Sequence, residues 1–214
     1  MNHIFKAYIS FLFFFDYSFC FASTKKHEKT ETLKIIFLGD SLTAGYGLKV
    51  EDAFPQIAFN QLKKTYPNLT IVNAGISGST TASAMQRLSW LLKSNSKANV
   101  LVLALGANDG LRGKKTSHIH ENLSKTIEYA QSKKLKILLC GMKIPKNYGV
   151  KYSQEFEKIF TTLAQKYNIL LMPFLLEDVA GRKILNQKDG IHPNEEGHKI
   201  IAKNITPFIL KLIK

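Results

Sequence analysis

The chain has 214 residues, 45% hydrophobic and 21% charged, with a formal net charge of +14. That composition supports one sizeable core and excludes a disordered chain or a bundle of membrane helices. Of its 30 basic residues only Arg87, Arg112 and Arg182 are arginine. Planar recognition of bases and phosphates favours arginine, and no basic run is interleaved with aromatics, so a nucleic-acid partner is excluded too. The charge reads as a lysine-coated surface, with weak attraction to anionic lipid head groups as the sharper alternative.

The first segment has the grammar of an export signal. Lys6 supplies the positive start, Ala7 to Phe15 an apolar run, and Cys20-Phe21-Ala22 the small residues before a cut. A signal peptide over residues 1–22 is therefore expected, with a periplasmic or secreted product. A membrane anchor is the competing reading, but Ala7 to Ala22 contains Asp16 and falls short of the about 20 apolar residues a span needs. Lipidation of Cys20 is opposed by bulky Phe19. Cleavage removes Lys6 and Asp16 together, so the mature charge stays at +14. Residues 23–32 are polar and read as a linker to a single domain over 33–214. With Cys20 gone, Cys140 is alone in an apolar run, where a buried inert thiol is expected rather than a disulfide.

Within the domain, short β-rich apolar runs alternate with helical patterns. The runs are Leu33 to Leu38, Leu69 to Val72, Val100 to Leu105, Leu135 to Cys140 and Ile169 to Met172. Between them, 3.6-residue stripes are carried by Phe54, Ile57, Ala58 and Leu62; by Ala84, Leu88, Leu91 and Leu92; by Ile119, Leu123, Ile127 and Ala130; and by Phe156, Ile159, Phe160, Leu163, Ala164 and Tyr167. Each stripe reads as core. A last helix is expected to start from Asn194 as cap, with Glu195 and Glu196 in its first turn, and to bend or restart near Pro207. Five strands alternating with helices predict a parallel sheet covered on both faces, in one three-layer α/β/α domain.

Ligands of open α/β sheets bind beyond the carboxyl ends of the strands. Four polar or glycine-rich clusters fall there: Gly39-Asp40-Ser41-Leu42, Asn73-Ala74-Gly75-Ile76-Ser77-Gly78, Gly106-Ala107-Asn108-Asp109-Gly110, and Asp189-Gly190-Ile191-His192-Pro193. Their chemistry is complementary. A serine hydroxyl needs a base to take its proton; His192 can do so, and Asp189 can hold the imidazole in the right tautomer. An oxyanion needs donors, which the backbone N–H groups of Ser41 and Gly75 and the Asn108 amide can supply. Taken singly, Gly-Asp-Ser-Leu can be a helix cap and Asp-x-x-His a capping aspartate beside a surface histidine. All four blocks, in order and each after its strand, favour nucleophilic catalysis.

Block for block, these segments resemble the Ser, Gly, Asn and His signatures of the SGNH/GDSL hydrolases. They look most like the bacterial group of multifunctional thioesterases, arylesterases and lysophospholipases. Gly106-Ala107-Asn108-Asp109-Gly110-Leu111-Arg112-Gly113 and Ile144-Pro145-Lys146-Asn147-Tyr148-Gly149 extend the likeness over nearly the whole domain. The resemblance implies a flavodoxin-like sheet of order 2-1-3-4-5, no cofactor and an acyl-enzyme mechanism. Ser41, Asp189 and His192 would be its triad, and Ser41, Gly75 and Asn108 its oxyanion hole. It implies small acyl esters, thioesters or lysophospholipids as substrates of a monomeric enzyme. Ser79 stands where this group often has an acidic residue, which bears on loop closure and substrate preference.

Other candidates have blander readings. Asp40 is expected to fix the nucleophile turn by accepting backbone N–H bonds, and Asp109 to do the same beside Asn108. His118 and His120 diverge on a helix, His198 is expected at the surface, and no cluster has metal spacing. Ile144, Pro145 and Tyr148, in a long loop over Met142 to Val150, are candidates to line an acyl pocket. Two other functions stay open: a carbohydrate O-deacetylase on the same scaffold, and a non-catalytic lipid- or surface-binding module.

Overall fold

A computed structural model describes residues 32–214. The expected signal segment, Cys20 and all of the linker except Thr32 lie outside the described residues. Five parallel strands, β1 (Leu33–Gly39), β2 (Leu69–Gly75), β3 (Val100–Ala104), β4 (Lys136–Cys140) and β5 (Leu170–Met172), form one sheet of order β2-β1-β3-β4-β5. In register, Gly39 of β1 faces Gly75 of β2 on one side and Ala104 of β3 on the other. The carboxyl ends of the three strands that precede the first three clusters therefore finish level with one another.

The helices are α1 (Ser41–Ala44), α2 (Phe54–Leu62), α3 (Ala84–Ser94), α4 (Ala107–Leu111), α5 (Thr116–Ser132), α6 (Val150–Tyr167) and α7 (Glu195–Ile213). α2 packs on α7, while α5 packs on both α3 and α6. These two sets of helices make the outer layers of an α/β/α sandwich. The central strands are apolar on both faces because both are covered: Ile35 to Leu38 and Val100 to Leu105 are all buried. The helical stripes supply the opposing surface, from Phe54, Ala58 and Leu62 on α2 to Phe156, Phe160 and Leu163 on α6. Cys140 is fully buried, and loss of solvent pushes its thiol well above the ordinary range.

Two expectations are corrected. Helix α7 does not restart at Pro207, which lies inside a single helix. Proline removes one backbone donor, but Lys203, whose carbonyl loses its partner, is exposed, as is Pro207 itself, so water can satisfy the orphaned acceptor. The stretch after β4 is also less of a loop than expected: Lys146–Tyr148 form a 3-10 turn and α6 begins at Val150.

Candidate active site

The turn after β1 is built by Asp40. Its buried carboxylate accepts the Leu42 N–H at 3.0 Å and caps α1, which places Ser41 at the first helical position. Burial pushes the Asp40 carboxyl up to about 6, against the downward pull of that N–H. The Ser41 N–H, in the first turn, has no intrahelical acceptor and is available to a ligand.

The loop ahead of α7 is built by Asp189 and Gln187. One Asp189 oxygen accepts the backbone N–H groups of Ile191 at 2.9 Å and His192 at 3.0 Å. The other accepts the His192 ring Nδ1–H at 2.7 Å. These bonds, the His192 N–H foremost and then its ring, hold the Asp189 carboxyl down at about 2. With Nδ1–H given to the carboxylate, Nε2 is left as the acceptor, and Ser41 Oγ stands 2.9 Å from it. Asn194 caps α7 by accepting the Gly197 N–H at 3.1 Å, as its sequence position predicts. Ser41, His192 and Asp189, expected together from sequence, form one continuous hydrogen-bonded chain.

The two remaining clusters meet beside Ser41. Asn108, in α4, donates its amide to the Ser79 carbonyl at 3.1 Å, and the same nitrogen lies 3.4 Å from Asp40 Oδ2. Gly75 ends β2, where a Cβ would stand 2.2 Å from the Ala44 nitrogen, so only glycine lets α1 sit against the strand. The Gly75 N–H is already engaged, donating to Asn73 Oδ1 at 3.0 Å. Asn73 in turn donates to the Thr43 carbonyl at 2.9 Å. Gly78, with φ of +76°, precedes the Ser79 carbonyl that Asn108 holds, and its own carbonyl accepts from Arg112 at 3.2 Å.

A match of residues 37–200 to the GDSL-like lipase/acylhydrolase family model agrees with this geometry. The chain belongs to that family. It is a GDSL-type esterase, a carboxylic ester hydrolase. The chain is 35% identical over 193 residues to an arylesterase of Vibrio mimicus, covering 90% of this chain and 94% of the relative. It is 34% identical over 212 residues to the thioesterase 1/protease 1/lysophospholipase L1 of Escherichia coli K12, covering 97% and 96%. The crystal structure of a psychrotrophic esterase from a Pseudoalteromonas species, inhibited by monoethylphosphonate, superposes with a TM-score of 0.79 at 33% identity, over 84% of this chain and 98% of that one.

Several residues around the GDSL site were not singled out by sequence reasoning. Arg87 donates to the Gly39 carbonyl at 3.1 Å and to the Ala74 carbonyl, tying together the ends of β1 and β2. Tyr46 lays its ring 4.6 Å from the His192 ring. Asp109, expected to serve its own turn, instead accepts the Thr81 N–H at 2.9 Å and the Thr81 hydroxyl at 2.8 Å, anchoring the segment after Gly78. His198, expected at the surface, is buried, and its Nδ1 accepts the Phe54 N–H at 3.0 Å. Ala53, which precedes α2, offers no side-chain cap, so this first-turn amide has to find its acceptor on α7. Burial pulls the His198 ring down to about 4. Of the candidate pocket residues, Ile144 is buried in the core, where a Cβ on Gly110 would lie 2.7 Å from its side chain, whereas Pro145 and Tyr148 are exposed. Among the described residues no group of histidine, cysteine, aspartate or glutamate is arranged to hold a metal ion.

Proposed function

We propose that this esterase hydrolyses acyl esters and thioesters through Ser41, His192 and Asp189, by way of an acyl-enzyme. The observation that carries the reading is the chain from Ser41 Oγ to His192 Nε2, 2.9 Å, and from His192 Nδ1 to Asp189, 2.7 Å. In the first step Ser41 Oγ attacks the acyl carbon while its proton passes to Nε2; the imidazolium that forms is stabilised by Asp189. Collapse of the tetrahedral intermediate breaks the ester or thioester bond, and Nε2 returns the proton to the departing oxygen or sulfur. Water then enters, gives its proton to Nε2, attacks the acyl-enzyme and releases the acid and Ser41.

The oxyanion is held by the Ser41 N–H and the Asn108 amide, with a glycine N–H as third donor. Gly75 can serve only by giving up Asn73. The bond Gly75 already makes favours Gly78, whose position one residue before Ser79 brings it to the Asn108 side of the site. Of the three candidates after β4, the exposed Pro145 and Tyr148 are proposed to line the acyl side of the site, while Ile144 is buried in the core.

The substrate range suggested by the named relatives runs from aryl esters to acyl thioesters and lysophospholipids. The N-terminal pattern of Lys6, the apolar run and Cys20-Phe21-Ala22 supports cleavage after residue 22 and export of the domain over residues 33–214, with 23–32 as linker. Export makes acyl-CoA a poor natural substrate. All the proposed catalytic groups come from one chain, so a monomer suffices, and the net charge of +14 favours weak contact with an anionic membrane surface. Among the described residues no helix is long and apolar enough to cross a membrane.

The test is labelling with a phosphonate ester, followed by peptide mapping, beside a chain-length series of p-nitrophenyl esters. Label on Ser41 and turnover beyond acetate support an acyl esterase. Turnover that stops at acetate supports a carbohydrate O-deacetylase, and a folded protein that neither labels nor turns over supports a binding module.

A further inference from the structure

The loops bearing Ser41 and His192 come from opposite ends of the chain, and their spacing is set by more than the Ser41–His192 bond. Gln187, half-buried, donates from its single amide nitrogen to two carbonyls: Tyr46 at 2.7 Å and Pro193 at 3.0 Å. Two acceptors on one side fix the amide's orientation, with both N–H bonds used and Oε1 turned toward Gly47. There a Cβ on Gly47 would stand 2.4 Å from Oε1, and the glycine's φ of +78° is one that side chains disfavour. The backbone of Gln187 completes the clasp: its N–H donates to the His192 carbonyl at 2.7 Å, and its carbonyl accepts the Gly190 N–H at 2.9 Å. One residue thus grips the segment following α1, the residue after His192, and His192 itself. The Tyr46 carbonyl it holds also seats the Tyr46 ring against the imidazole.

We infer that Gln187 is a positioning residue, which holds the His192 loop over Ser41 at proton-transfer distance without touching substrate. The inference rests on the proposed roles of Ser41 and His192. A displacement of the order of an ångström at such a pair costs about a hundredfold in rate, which is the scale on which an unclasped loop would act.

The test compares the full chain with Q187M, which keeps the length of the side chain and removes both donors, and with S41A. The readings are kcat and KM for p-nitrophenyl butyrate, the rate of Ser41 labelling by a phosphonate ester, and the melting midpoint. Phosphonylation requires the same proton transfer from Ser41 to His192, forms the Oγ–P bond as the phosphonate's own alcohol or phenol departs, and is followed by no deacylation, so it reports the pair directly. Q187M should lose about 10- to 100-fold in kcat and a comparable factor in labelling rate, with KM changed less than about twofold and the protein folded at the assay temperature. A folded Q187M with wild-type kcat, or one whose loss lies wholly in KM, overturns the inference. If Q187M does not fold, Gly47→Ala drives a methyl at the same amide and must give the same kcat and labelling loss; full activity there overturns it as well. Failure of the underlying reading looks different: S41A itself would remain active and would still take label.

Discussion

Asn108 stands 3.4 Å from the Oδ2 of Asp40, a carboxylate with no solvent exposure, while its amide is also held by the Ser79 carbonyl at 3.1 Å. The amide proposed to meet the oxyanion is thus oriented before any substrate arrives, and the longer of its two contacts, 3.4 Å, is the weaker one for a ligand to replace. Asn108→Ala should lower kcat by about 10²–10³ with KM little changed. Steady-state kinetics on a soluble ester, with a melting curve to show an intact fold, checks this.

Asp40 and His198 should leave opposite marks on stability against pH. Asp40 binds its proton more tightly folded, with a value of about 6 against 3.8 unfolded, so its contribution to stability falls as pH rises through that window. His198 binds its proton less tightly folded, about 4 against 6.5, so its contribution rises with pH between those values. Asp40→Asn keeps an acceptor for the Leu42 N–H and removes the buried charge. It should be more stable than wild type at pH 7, by on the order of 1–3 kcal/mol, and its melting point should climb more steeply from pH 4 to 6. His198→Gln should show the reverse slope. Melting curves of the three proteins across pH 4–7 decide it; parallel curves would remove both assignments.

What the sequence made legible and what it hid follow from reach. Asp40 bonds Leu42 and Asn194 bonds Gly197, each within three residues, and both roles were expected from sequence position; Asp189 bonds Ile191 and His192 over the same short reach. The apolar runs likewise announced every strand, most fully the central β1, β3 and β4, which are covered on both faces and nearly apolar throughout. His198 was misjudged because its partner, Phe54, lies 144 residues away, and only the packing of α2 on α7 brings them together. Asp109 was read as local for the same reason, although Thr81 is 28 residues distant. Gln187 carries no motif at all. The role inferred for it exists only where two loops meet, 141 residues apart, and local sequence says nothing of such a meeting.

Arg87 is not replaceable by lysine. Its planar guanidinium reaches the Gly39 and Ala74 carbonyls together, at the ends of the two strands that lead to Ser41 and Gly75. A lysine ammonium on a single flexible stem cannot make the same fork. Arg87→Lys should cost about 1–3 kcal/mol, the penalty of a partly buried carbonyl left unpaired. Urea titration measures the loss, and kcat should fall with it as the two strand ends separate.

The most direct test of the central claim is steady-state hydrolysis of p-nitrophenyl esters, from acetate to palmitate, by wild type and Ser41→Ala. Wild type should turn over, and the variant, folded to the same melting point, should fall by about 10³ or more in kcat. A folded Ser41→Ala as active as wild type would contradict it, and the nucleophile would then have to be sought elsewhere.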